Sequence, residues 1–200
     1  MTFPSREIGR AITPLRLIFW GGLICVFDFK INNFDLFHDL VGVIMIAFGV
    51  FSLAQLRVHE NYAKAMLIIR IVVAISCLVT LMEQFRIRYS EFVGFTLSMF
   101  GIVELLAIVL FCLAMYWLCG AADLKSSTRS WGTTTNLFAI IYLIPLGLFY
   151  FAASIAIATG KSFNINLGPA GLLLIPVFFI PLIHLFISTS RMKTEAELLS

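Results

Sequence analysis

Polar residues divide the chain into six long apolar stretches, at about 12–29, 40–56, 65–82, 92–120, 137–159 and 168–188. A helix that crosses a hydrocarbon core of roughly 30 Å at 1.5 Å per residue needs about 20 mostly apolar residues. Each stretch is therefore one crossing, the first two being short. The runs are continuous and lack the alternating pattern of barrel strands, which predicts helices. The expected fold is all-α and integral to a membrane. It forms a single embedded domain over 1–200, with six transmembrane helices arranged as three helical hairpins at about 12–56, 65–120 and 136–190.

Composition agrees with that pattern. Hydrophobic residues make up 60% of the 200 and charged ones only 12%, too few to form the polar shell of a water-soluble domain. Arg6, Arg10 and Arg16 ahead of the apolar Leu17 to Phe27 resemble the start of a signal peptide. Phe27, Asp28, Phe29 and Lys30 stand where a small-residue cleavage site would be needed, so an uncleaved span is expected. Orientation follows from Lys and Arg, which are kept on the cytoplasmic side. Arg6, Arg10, Arg16, Arg57, Lys64, Arg70, Lys125, Arg129, Arg191 and Lys193 are ten of the fourteen, and all fall at alternate breaks together with the two ends. Both termini are thus expected in the cytoplasm, with the chain in a plasma (inner) membrane. The net charge of +3 has no dense basic run behind it, and no nucleic-acid partner is expected.

An internal repeat organises the first two hairpins. Asp39-Leu40-Val41-Gly42 and Phe48-Gly49 recur at an offset of 52 residues as Glu91-Phe92-Val93-Gly94 and Phe100-Gly101. Upstream of each copy lies an alternating segment, Phe29-Lys30-Ile31-Asn32 and Phe85-Arg86-Ile87-Arg88, and Phe163-Asn164-Ile165-Asn166 supplies a third. Alternation is the strand period, so these are either short extended segments pairing on the outer face or turns with a buried Phe and Ile. Gly42 and Gly49, like Gly94 and Gly101, fall on one side of a helix and are expected at interfaces between hairpins, where small residues let backbones approach. Asp39 and Glu91 are expected to cap their helices. With Asp28, Asp35 and His38 they form an outer acidic group; the alternative is cation or proton capture there.

The segment Asp35-Leu36-Phe37-His38-Asp39-Leu40-Val41-Gly42 resembles a group of multi-pass bacterial membrane proteins in which an Asp-Leu-Leu-Pro-Asp-Phe-Ile-Gly-like motif opens a helix, with His38 here in place of the proline. The likeness covers the second span and its approach. It implies a bacterial membrane origin and brings no activity with it.

Inside the apolar runs, Glu104 needs a partner or a proton, since an ionised group at mid-bilayer costs at least about 2.5 kcal/mol. Arg70 is nearest in expected depth, predicting an Arg70–Glu104 pair that locks two helices or, alternatively, marks a transport path. Pro145, Pro169, Pro176 and Pro181 predict kinks or breaks in the last two spans. Residues 121–135, rich in Ser and Thr, read as a cytoplasmic linker with Trp131 at the interface. Cys25, Cys77, Cys112 and Cys119 lie in apolar runs without metal or redox spacing, and His59 with His184 makes only a poor haem pair. No metal and no cofactor are expected.

No nucleophile–base pair, metalloprotease motif or phosphate loop appears. The expected function is a non-catalytic accessory, assembly or interaction component that packs against lipid and other membrane proteins or itself. The alternatives are a small-solute or ion transporter, with a site near Arg70, Glu104 and the proline-broken helices, and an enzyme using the outer Asp/His group.

Overall fold

The computed structural model describes residues 5–26, 30–31, 34–35, 39–84, 91–160 and 170–198. Apart from a two-residue antiparallel ladder that pairs Lys30–Ile31 with Phe34–Asp35 and the short turns at 54–59, 122–124 and 159–160, these residues are helical. The helices are α1 (Ser5–Val26), α2 (Asp39–Leu53), α3 (Glu60–Gln84), α4 (Glu91–Ala121), α5 (Lys125–Phe138), α6 (Ile144–Ala158) and α7 (Ala170–Leu198). A π-helical turn, Ala139–Leu143, joins α5 to α6, so the helices form six continuous rods. Four of these are long and apolar enough to cross a membrane: Ile8–Cys25, Glu60–Met82, Met99–Ala121 and Lys125–Ala156. The apolar α2 is shorter.

Lipid-facing surfaces confirm what the length suggests. On α6, Ile144, Leu148, Phe151 and Ile155 recur at helical spacing and are all at least half exposed, as are Leu67, Ile68 and Ile71 on α3. Stripes of this kind are untenable in water and ordinary against acyl chains.

The core is concentrated at one end of the bundle. Ile8, Ala11, Leu53, Tyr62, Leu118, Leu124, Trp131 and Met192 belong to one cluster of buried residues, which brings together the start of α1, the α2–α3 turn, the α4–α5 turn and the end of α7. Each turn is closed by a local device. At the first, His59 Nδ1 accepts the Tyr62 N–H at 3.2 Å as an N-cap, and the Tyr62 hydroxyl donates at 2.8 Å to Leu53 O, which also accepts the Leu56 N–H at 3.0 Å. At the second, Leu124 N–H bonds Cys119 O and Asp123 N–H bonds Gly120 O, with Asp123 left-handed (φ 56°). This is a Schellman motif with Asp at the glycine position, and the buried Leu124 supplies its hydrophobic contact.

The expected linker at 121–135 is therefore not a linker. α4 ends at Ala121, α5 begins at Lys125, and the third hairpin's first rod starts about three turns earlier than the apolar run predicts. Its Ser and Thr residues misled because hydroxyls favour turns, whereas here Thr128, Thr133, Thr134 and Thr135 donate back to carbonyls four residues earlier in the helix.

α1 and α2 pack most closely. A Cβ placed on Gly42 would meet Cys25 Sγ at 2.5 Å and Gly21 O at 2.7 Å, and one on Gly49 would meet Ile18 at 2.5 Å and Pro14 O at 2.6 Å. These glycines thus lie at the interface inside the first hairpin rather than between hairpins. Gly101 does join two hairpins, since a Cβ there would meet the Tyr150 ring of α6 at 2.9 Å. The surroundings of Gly94 and Glu91, at the start of α4, fall outside the described residues.

Candidate functional site

Ser127, Ser130 and Thr134 are three and four residues apart and share one face of α5; His184, Ser188 and Glu195 are four and seven apart and share one face of α7. The fold presses these two faces together into a continuous polar seam. Ser130 Oγ lies 2.8 Å from Ser188 Oγ, which lies 2.8 Å from Thr134 Oγ1, which in turn lies 2.8 Å from His184 Nδ1. Ser130, Thr134 and Ser188 are buried. Toward the other end of the same interface, the Tyr142 hydroxyl in the π turn donates to Phe178 O, three residues before Pro181, where the proline disturbs the helix ladder.

Glu195 closes the end of the seam nearest the α4–α5 turn. One carboxylate oxygen accepts the Ser126 N–H at 3.1 Å; the other accepts the Ser127 N–H at 2.8 Å and the Ser127 hydroxyl at 2.6 Å. α5 has no capping side chain of its own at Leu124, so a carboxylate from α7 satisfies the free donors of its first turn and meets the positive end of its dipole. Burial raises the Glu195 carboxyl, but the Ser127 hydroxyl, the two amides and the Arg191 charge outweigh it and hold the group below its ordinary value.

Each hydroxyl has one hydrogen and can accept others. Thr134 gives its own to Ser130 O at 3.0 Å, so it accepts from both neighbours: the His184 Nδ1–H and the Ser188 hydroxyl donate to Thr134, and Ser130 donates to Ser188. Every member of the chain is then satisfied, so it needs no ligand to complete it. Beside the seam, Trp131 is fully buried and edge-on to Phe111, and its indole N–H has no hydrogen-bond partner among the described residues.

The expected site residues are dispersed by comparison. Glu104 accepts from Ser76 Oγ at 2.6 Å, while the Arg70 guanidinium sits over the Phe51 ring, 4.8 Å from its centroid. Ser76 is six residues beyond Arg70, about 9 Å of helix rise. The carboxyl and the guanidinium thus stand at different depths and engage α3 and α2 rather than each other. The long Arg stem finds an aromatic face closer to its own helix level. Asp39 is exposed in the first turn of α2. Asp28 and His38 lie outside the described residues, as do the side chain of Asp35 and the extended segments expected at 85–88 and 163–166. The described pairing, Lys30 with Asp35 and Ile31 with Phe34, is within one loop.

Pro145 follows the π turn directly, and the Ile144 N–H bonds Ala139 O five residues back. A wider turn just ahead of the proline absorbs its missing donor. Pro176 and Pro181 lie inside α7, which continues through both, so the expected breaks there are not breaks. His59 stands edge-on to Trp117 and caps α3, whereas His184 belongs to the seam.

The seam went unread in the sequence because α5 is polar enough to pass for a loop. Its signal was the match of two helical spacings, 127/130/134 with 184/188/195. No family model matches this sequence, and no curated protein or solved structure matches it either.

Proposed function

We propose that the chain is a non-catalytic component of a membrane assembly that crosses the bilayer six times as three hairpins, with both ends in the cytoplasm of a bacterial cell. It acts by packing against itself or other membrane proteins. One observation carries this reading. The intramembrane polar groups of α5 and α7 are bonded to each other in a buried interface, an arrangement that fixes helix position. The distribution of Lys and Arg supports the orientation. Native mass spectrometry after mild detergent extraction tests the reading: a stoichiometric protein partner or a defined homo-oligomer is expected, and a monomer with no partner at any detergent concentration overturns it. Protease or tag accessibility at Lys161 and Met1 tests the topology, with opposite faces expected.

A second reading, a small-solute or ion transporter, is favoured by one contact: a half-buried carboxylate within the spans, Glu104, held by Ser76 at 2.6 Å. In that case Glu104→Gln keeps its folded yield and loses proton-coupled uptake into vesicles. In the assembly reading the same variant leaves solute flux at the vesicle background.

A further inference from the structure

Between α1 and α7 runs a groove of about 220 Å³ whose lining changes character along its length. The Phe19 and Phe186 rings meet at its apolar end with centroids 5.2 Å apart, and Trp20, 56% exposed, forms the adjoining wall. Toward the end of the bundle that holds the start of α1, Arg16 lies three residues from Phe19, while Ser190 and Lys193 lie four and seven from Phe186. Helix rise places their backbones about 5, 6 and 10 Å from the aromatic pair. Long side chains from two antiparallel helices thus bring two cations and a hydroxyl to one mouth of an otherwise apolar slot.

The geometry points to a binding site for one molecule of an anionic phospholipid, its phosphate held between Arg16 and Lys193 and an acyl chain lying along Phe19, Trp20 and Phe186. Three observations select this occupant. Ser190 and Lys193 stand past the last long apolar run, which ends at about 188, at the depth where headgroups begin, and Arg16, midway along the candidate span Ile8–Cys25, is long enough to snorkel toward them. The apolar wall is continuous with the lipid-facing surface, which a soluble anion would leave uncovered. Charge complementarity requires a net negative headgroup, and basic pockets between helices bind such lipids. Lys193 also meets Glu197 at 3.5 Å, but both side chains are substantially exposed and four residues apart on one helix. That pair is weak and leaves the ammonium available. The Thr189 hydroxyl, also in the lining, donates to its own helix at Leu185 O, so the polar contact falls to Ser190.

The test is native mass spectrometry of the full chain in detergent, titrated with phosphatidylglycerol or with phosphatidylcholine of the same acyl chains. Wild type is expected to retain phosphatidylglycerol preferentially. Each cation removed should weaken retention about fivefold, so Arg16→Gln/Lys193→Gln abolishes the preference, whereas Lys64→Gln, outside the groove, keeps it. Equal retention of both lipids by wild type, or an unchanged preference in the double variant, overturns the site. If the double variant fails to fold, brominated lipids read the wild type directly. Brominated phosphatidylglycerol should quench tryptophan emission more than brominated phosphatidylcholine, and Trp20→Phe should remove that difference. Equal quenching overturns the site. Glycerol phosphate at millimolar concentration is expected to compete poorly with the lipid; full competition would identify a soluble anion as occupant and overturn the lipid assignment.

Discussion

The two ends of the bundle are built on different principles. At the end that gathers the α2–α3 and α4–α5 turns, side chains from six helices interlock around Trp131, Tyr62 and Leu124, and the hydroxyls, a histidine and a carboxylate between α5 and α7 are bonded to one another. Away from that end, α3 and α6 turn Leu78, Leu148 and Phe151 outward and, among the described residues, nothing lies within 4 Å of a Cβ placed on Gly147. In lipid there is no hydrophobic drive to bring helices together, so contact is made where shape and hydrogen bonds reward it and left to acyl chains elsewhere. The rigid end is where positions are fixed, and the loose end is where lipid or a partner can take up surface.

The largest effect that separates the ends comes from the rigid one. Trp131→Ala removes the biggest buried side chain and is expected to cost about 3–5 kcal/mol. Leu148→Ala, on a face 64% exposed, should change stability by no more than about 0.5 kcal/mol. Thermal unfolding in one detergent compares them, and equal losses would erase the distinction.

A smaller contrast concerns glycines. Gly49→Leu forces α1 and α2 apart against Ile18 and Pro14 and should cost about 1–3 kcal/mol. Gly147→Leu points into open space and should be near neutral. Comparable folded yields of the two variants would mean that α1 and α2 tolerate separation.

Within the seam, Thr134→Val keeps the shape and removes the node shared by Ser188 and His184, at an expected cost of about 1–3 kcal/mol. Ser52→Ala, whose hydroxyl bonds only its own helix at Phe48 O, should cost less. A double-mutant cycle of Thr134→Val with Ser188→Ala should show strong coupling.

The smallest expected effect is the pH dependence of Glu195. Its folded value lies below its unfolded one, so its contribution is complete above the ordinary carboxylate value and is lost as pH falls through the folded value. Glu195→Gln should flatten acid-range stability relative to wild type, and parallel curves would mean that the cap does not discriminate the charged form.

The membrane class and the helical rods could be read from the apolar runs, because length and continuity are properties of local sequence. The close approach at Gly42 and Gly49 was also legible, but not which helix they meet: a glycine announces room for a neighbour and says nothing of whose backbone fills it. Residues 125–138 were misread for a physical reason. Hydroxyl-rich sequence has weak helix propensity, and the partner that makes it a helix, Glu195, lies 68 residues from Ser127. Arg70 and Glu104 matched in estimated depth, yet the residue of α3 that Glu104 meets is Ser76, six positions further along the helix. Tertiary placement of this kind is not encoded in periodicity.

The carboxylate that starts α5 belongs to a stretch that leaves the ribosome after every helix it serves. Until Glu195 arrives, the first amides of α5 must be solvated and the space filled by Met192 and Ala196 stays open. Assembly of this end is therefore ordered in time: the rods that precede α7 can be in place before the clasp that locks them exists, and this end sets only when α7 docks.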